Sequence, residues 1–264
     1  MREHATMLQP VEQAIRLRNQ LDSLLADGRA PLTVAIIGAG TAGVEAAFAI
    51  AARLRKSEGT GQVTIVDGAQ EVLAGESPRL QQRAMELLRA RGVGLVLGGR
   101  VTRVTEDGLV LASGAVVPAN LIVRATGAAP PALLAKSDLP RDEEGYLLVD
   151  RKLRAIGNLP VWGAGECVTV AKHARLSRSG VHSAYDGPTL LQNLRAALGV
   201  GRAKRAQPHD ASLMLLSTAD GRALVRRGRF HDYARWASWL KERRNRRFVA
   251  RFGAGCDEKS VQGS

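Results

Sequence analysis

Apolar positions along the chain follow two rhythms, and where one gives way to the other the elements can be read. Ile15, Leu17, Leu21, Leu24 and Leu25 recur mainly at three- and four-residue spacing and predict a lead-in helix within residues 1–30, ending near Asp27-Gly28 before Pro31. Thr33–Ile37 is a short unbroken apolar strand, followed by an alanine-rich helix and a second strand, Gln62–Val66, that stops on Asp67. Gln70–Arg91 reads as a loop and then a helix from Pro78 to Ala90, and Val93–Leu97 as the next strand. Three β-rich runs, Arg100–Thr105, Gly108–Leu111 and Ala115–Val117, are separated by Glu106-Asp107-Gly108 and Ser113-Gly114 turns and predict an antiparallel meander. Leu121–Ala125, interrupted by Arg124, is a buried strand. Strand–helix alternation of this kind predicts an α/β fold with a parallel sheet, the meander serving as one of its crossovers.

Beyond Pro131 the pattern loosens. Gly145–Asp150 and Leu159–Trp162 read as strands, and a helix from Pro188 to about Leu198 carries Leu190, Leu191, Leu194 and Leu198 on one side. The tail predicts a strand pair, Leu213–Ser217 and Arg222–Arg226, and a basic helix, Asp232–Phe252. These shifts divide the chain into a lead-in at 1–30, a Rossmann-like unit at 31–148, a third segment at 149–205 and a basic region at 206–264.

At 264 residues and 45% apolar, the chain can bury one large core or two small ones. Leu32–Ala52 is long enough to span a bilayer, but three fingerprint glycines and a mid-span Glu45 argue for strand plus buried helix. The first residues mix charges with no apolar run like that of a secretory signal, so the expectation is cytoplasmic. Cys167 and Cys256 have neither CxxC nor metal-like spacing, so no metal site and no redox disulfide within the chain is expected. The net charge of +13 is concentrated late: between Arg222 and Arg251 eleven Lys or Arg face two acids.

The candidate chemistry lies between the first two long strands. Gly38-Ala39-Gly40-Thr41-Ala42-Gly43 follows a strand and opens a helix, the setting of a dinucleotide fingerprint. Gly38 permits the tight turn, Gly40 lets backbone approach a pyrophosphate, and Gly43 lets the helix pack close to the strand, with the phosphates at the helix N-terminus beside Thr41 and Ala42. Asp67, 24 positions past Gly43, stands where a carboxylate would accept hydrogen bonds from the adenosine ribose and repel a 2′-phosphate, favouring NADH over NADPH.

Four segments resemble the pyridine nucleotide-disulfide oxidoreductase superfamily, in its branch of type II NADH dehydrogenases, sulfide:quinone reductases and the flavoprotein module joined to selenophosphate synthetase. They are GAGTAGVE (Gly38–Glu45), ATGAAPP (Ala125–Pro131), VDRKLRAIGNLPVWGAGEC (Val149–Cys167) and SGVHSAYDGPTLLQNLRAAL (Ser179–Leu198). The tail from Ser212 to Phe252 resembles the end of the selenophosphate-synthetase-linked module. The resemblance implies a split FAD-binding domain with an NADH-binding domain inserted. It places Thr126 and Gly127 at the cofactor site, Gly165-Glu166 where relatives carry a Gly-Asp that bonds the flavin's ribityl chain, and Gly180-Val181 at a helix start facing the flavin, where a plain helix start with packing is the alternative. Relatives begin with their own FAD fingerprint, for which residues 1–30 hold no replacement, so a partner chain or upstream segment supplying that half is expected.

The function so implied is hydride transfer from NADH to FAD and on to a small acceptor such as a quinone; the alternative is a truncated or split NAD-binding module without turnover. Glu45 matches a Glu near the nicotinamide in relatives, but it reads equally as an acid facing the helix dipole. His4, His173, His182, His209 and His231 show no ligand spacing, and no side chain is assigned a catalytic role. Trp236, Trp239, Phe248 and Phe252 among the tail arginines admit two readings: an aromatic face covering the body of the protein, or an interfacial membrane helix peripheral to the inner membrane. No nucleic-acid motif accompanies the charge.

Overall fold

The computed structural model describes residues 5–9, 11–28, 31–57, 61–127, 130–157, 159–171, 180–206 and 213–252. The chain forms two compact units, one from residues 1–127 with 213–264 and one from 128–212.

The first unit opens with β1 (Thr6–Met7) and α1 (Val11–Ala26). It continues through β2 (Leu32–Ile37), α2 (Thr41–Lys56), β3 (Gly61–Asp67), α3 (Pro78–Arg89) and β4 (Val93–Leu97). The meander is β5 (Val101–Thr105), β6 (Gly108–Leu111) and β7 (Val116–Pro118), and the sheet ends on β8 (Leu121–Arg124). The main sheet is parallel with order β1-β8-β2-β3-β4, so from β2 the chain builds outward to β3 and β4 and then crosses back to lay β8 on β2's other side. β1 is a strand the sequence reading did not foresee; two residues carry no periodicity, and they pair at the edge with Val123 and Arg124.

The sheet is buried on both faces, as a parallel sheet must be. Val34, Ile36, Val63, Ile65, Leu121 and Val123 point into a core shared with Leu17 and Leu21 of α1, Phe48 of α2 and Leu88 of α3. The alternate residues Ala35, Val66 and Ile122 pack on the meander through Val104, Leu109 and Leu111. Ser77 caps α3, its hydroxyl accepting from the Leu80 N–H, with Pro78 at the first helical position.

The second unit holds α4 (Ala132–Ala135), the parallel pair β9 (Leu147–Val149) and β10 (Val168–Val170), and α5 (Gly180–Ala197). Leu159–Trp162 is not a strand: apart from a single bridge between Arg154 and Trp162 it is irregular, and β10 pairs with β9 instead. α5 starts eight residues before Pro188, which lies inside it. Nor do the leucines share a buried side, since Leu190 packs on the unit's core while Leu191 and Leu194 of α5, and Leu198 just past its end, are exposed. The inward turn is held by Asn193, whose amide donates to Lys152 O and Lys204 O and accepts from Lys204 N at 2.7, 2.9 and 2.6 Å.

The tail returns to the first unit as β11 (Met214–Ser217), β12 (Ala223–Arg227), β13 (Phe230–Ala234) and α6 (Arg235–Phe252). The basic helix therefore begins three residues later than expected, because His231, Asp232 and Tyr233 pair across to Arg226, Val225 and Leu224. Leu216 and Leu224 are buried in the same core as α2 and α3, so the tail is a layer of this unit and the reading of 206–264 as a separate region gives way. The break at 127/128 likewise replaces the expected one at 148/149, since β8 is the sheet's last strand and α4 and β9 belong to the other core. Two ion pairs tie the tail to α3 and its flanks. Arg226 grips Glu76 through a two-bond fork, both at 2.9 Å, and Arg91 meets Asp220 at 2.6 Å.

Candidate functional site

Topology creates the site. The carboxyl ends of β2 and β8 are where the sheet's winding reverses, and the loops leaving them diverge to leave a crevice. Gly38 and Ala125 close its floor: Ala125 N donates to Ile37 O at 2.9 Å, and Gly38 N to Val66 O at 2.9 Å.

The three glycines answer to different constraints. Gly38 has φ of +114°, and a Cβ on it would lie 2.9 Å from Ala125 O, so backbone strain and the neighbouring strand both exclude a side chain. A Cβ on Gly43 would lie 1.9 Å from Gly38 O, which is how closely α2 rides over the turn. Gly40 is under neither constraint. It caps α2 with an ordinary φ of −71°, and nothing lies within 4 Å of the Cβ it lacks. Gly40, Thr41 and Ala42 are exposed and no acid occupies the first turn of α2, so the helix presents its unpaired N–H groups and positive dipole end to open space. That is the geometry of an anion site.

Asp67, at the end of the neighbouring β3, is already at work within the fold. Its Oδ2 accepts from Ala39 N at 2.5 Å and its Oδ1 from Ala69 N at 2.7 Å, so the carboxylate splices the fingerprint loop to the turn after β3. Across the crevice Thr126 and Gly127 are exposed at the end of β8, and the Thr126 hydroxyl accepts from Arg124 Nε at 3.0 Å. The structure thus brings Gly38–Gly43, Asp67, Thr126 and Gly127 to one end of one sheet.

Glu45 stands one turn further along α2, outside the first turn, so the reading of it as a first-turn acid does not hold. Its carboxylate is engaged by the tail: Oε1 accepts from Ser217 N at 3.1 Å and pairs with Lys241 of α6. Sequence spacing gave no sign of this junction, 172 and 196 residues apart in the chain. Of the aromatic residues of α6, the three whose side chains are described do not cover the body either, and the side chain of Phe252 lies outside the described residues. Trp236, Trp239 and Phe248 are 46%, 59% and 51% exposed, while Ala237 is buried, and every residue from Glu242 to Ala250 is exposed.

In the second unit Gly165, at φ of +86°, opens a single 3-10 turn to Cys167 that packs against α5. Glu166 is half-buried there, and among the described residues its carboxylate has no hydrogen-bond or ion-pair partner. Gly180 and Val181 form the start of α5. Cys167 is a half-buried free thiol; Cys256, His4, His173 and His209, and the side chain of His182, lie outside the described residues. His231 Nε2 meets Ser77 Oγ at 2.7 Å. Among the described residues no cluster of His, Cys, Asp or Glu is arranged to hold a metal, and no helix is long and apolar enough to cross a membrane.

A parallel sheet flanked by helices, with a glycine turn at its winding reversal, defines a Rossmann-like α/β protein. Residues 2–193 match the pyridine nucleotide-disulphide oxidoreductase family, and the chain belongs to it. It is 25% identical over 169 residues to demethylphylloquinone reductase NdbB of Synechocystis, covering 63% of this chain and 41% of that protein. To an NADH dehydrogenase-like protein of Mycobacterium tuberculosis it is 30% identical over 162 residues, 58% of this chain and 40% of the other. The chain spans about two-fifths of the length of these relatives. Its fold is similar to NDH2 from Plasmodium falciparum solved in complex with NADH, with a TM-score of 0.77 at 13% identity over 94% of this chain and 70% of that one. The ferredoxin reductase for the CYP199A2 system of Rhodopseudomonas palustris gives 0.64 at 20% identity, over 85% and 54%. At such identities the likeness is one of fold.

Proposed function

We propose that the chain is the NADH-binding part, and a portion of the FAD-binding part, of an oxidoreductase that takes hydride from NADH to FAD and on to a small acceptor such as a quinone. The observation that carries the reading is Gly40: the one fingerprint glycine that the fold itself does not require lies at an exposed helix N-terminus, where a diphosphate needs backbone to come close. Thr41, Ala42 and Gly43 would hold the phosphates by their N–H groups, Asp67 the adenosine ribose, and Thr126-Gly127 the far wall. Glu166, half-buried and unpaired among the described residues, fits a carboxylate that accepts from a flavin hydroxyl, with Gly165 and the start of α5 at Gly180-Val181 beside it. When bound, the two cofactors supply the hydride chemistry; this chain's residues bind and orient them. A partner chain or further segment completing the FAD site belongs to the same reading.

The relatives' names support a quinone-type acceptor, since NdbB is a demethylphylloquinone reductase. The exposed tryptophans and arginines of α6 favour a peripheral contact with an anionic membrane surface, where such acceptors reside. Absorbance near 450 nm decides between enzyme and module. A yellow protein bleached by NADH supports the oxidoreductase, whereas a colourless protein that still binds NADH supports the NAD-binding module without turnover. A protein that binds neither refutes both.

A further inference from the structure

A groove of about 500 Å³ runs between α3 and the strands β12 and β13, within the first unit and built on none of the fingerprint residues. Arg79 and Arg83 line it from α3, Arg222 and His231 from the tail, and Tyr233 stands among them. The guanidinium groups of Arg83 and Arg222 each lie 5.3 Å from the Tyr233 ring centre, so the two like charges stand no farther apart than roughly one Debye length at 0.1 M salt. Two acids share the groove, and both are committed. Glu86 accepts from Arg83 at 3.1 Å and Gln82 at 3.2 Å; Asp232 accepts from Tyr233 N at 2.7 Å and Trp236 Nε1 at 3.0 Å.

The contrast with the adjacent arginines is informative. Arg91 and Arg226, on the same α3–tail boundary, each have a carboxylate at 2.6–2.9 Å. Among the described residues Arg79 and Arg222 have none, and the tail folds so that Arg222 lines the same groove as Arg79, more than a hundred residues away in the chain. With both acids occupied, the groove has cationic donors to spare and a volume within the range of small-molecule sites.

We infer that this groove binds a small phosphorylated anion, chelated between Arg79 of α3 and Arg222 of the tail with Arg83 beside them. Guanidinium groups meet oxyanions by paired N–H donors, which favours an oxyanion over a halide, and three arginines around one groove favour a multiply charged phosphate over a single carboxylate. Because its two walls come from α3 and the tail, an occupant would also clamp the tail onto the body of the unit.

The probe is inorganic pyrophosphate, titrated by calorimetry at low ionic strength into the full chain carrying Gly40→Ser, which fills the diphosphate space at the α2 N-terminus. Arg79→Ala with Arg222→Ala is expected to weaken binding about tenfold or more, one or two charge-assisted hydrogen bonds being lost. Arg244→Ala with Arg247→Ala removes the same charge from the exposed end of α6 and is expected to leave the affinity within twofold. Equal losses in the two pairs would mean that pyrophosphate senses only the chain's overall charge, and heat seen with the unsubstituted chain but lost with Gly40→Ser alone would put pyrophosphate at the α2 N-terminus. Either result, or no heat with the parent protein, overturns the inference. Both pairs replace exposed side chains, and matching thermal midpoints verify that all variants are folded.

Discussion

Gly40→Ser separates what the fold needs from what a ligand needs. Nothing lies within 4 Å of the missing Cβ and φ is −71°, so serine enters without strain. Gly40 is the N-cap of α2 and makes no side-chain cap bond, whereas a serine hydroxyl there would accept from one of the free N–H groups, for a gain of a few tenths of a kcal/mol. The thermal midpoint should therefore hold or rise slightly. The side chain also fills the space a diphosphate would enter and competes for the N–H groups it would use. Losing one charge-assisted hydrogen bond, about 1.5–3 kcal/mol, predicts a roughly tenfold to hundredfold loss of NADH affinity. Gly43→Ala is the counterpart: its Cβ would stand 1.9 Å from Gly38 O, and α2 must move off the turn, costing about 1–3 kcal/mol or more of stability before any ligand is added. Quenching of tryptophan fluorescence or calorimetry measures the affinity, and thermal denaturation the stability. Should Gly40→Ser bind NADH within threefold of the parent, the α2 N-terminus is not the diphosphate site and the functional reading falls with it.

Asp67→Asn should lose both affinity and about 1–3 kcal/mol of stability, because the carboxylate carries the Ala39 and Ala69 N–H groups as well as any ribose; chemical denaturation of the ligand-free protein shows the second effect. Leu216→Ala, in a side chain 1% exposed and packed with α2 and α3, should cost about 2–5 kcal/mol and abolish NADH binding at temperatures the parent survives, whereas a tail folding independently would leave the dinucleotide unit's midpoint unchanged. Lys241→Ala leaves Glu45 an uncompensated charge beside the diphosphate site, so NADH affinity should fall severalfold at low salt, recover with added salt and be restored by a second change, Glu45→Gln. Burial works to raise the Asp220 carboxyl, but the hydroxyls of Thr218 and Tyr233 and the Arg91 guanidinium together outweigh it and hold its pKa below the usual carboxylate value. A depressed folded-state pKa gives stability that is present above the unfolded pKa and lost as pH falls through the folded one; Asp220→Asn should therefore flatten the acid limb of a stability profile below about pH 4, and an unchanged limb would count against the pairing.

What was legible in the chain is what local chemistry specifies. The fingerprint, the strands beside it and the meander could be read because each is a contiguous pattern: a glycine where φ is positive, alternation where a face is buried, Pro78 after Ser77 where a helix starts. The tail could not be read in the same way. Whether Trp239 faces inward is decided by which stripe of α6 meets β11 and β12, and the stripe that does is marked by Ala237 and Lys241, a small residue and a charge, not by the aromatics. The α5 leucines misled for the same reason, since a buried Asn193 with three backbone partners fixes the helix's rotation more firmly than an apolar count does. Asp67 shows how the two kinds of information join: its spacing from Gly43 marked it as a ligand group, yet only the folded chain reveals that the same carboxylate holds Ala39 in place. A residue that both shapes the loop and grips the sugar cannot be replaced without disturbing both, whereas Gly40 can be, and so the glycine that does least for the fold is the sharper probe of function.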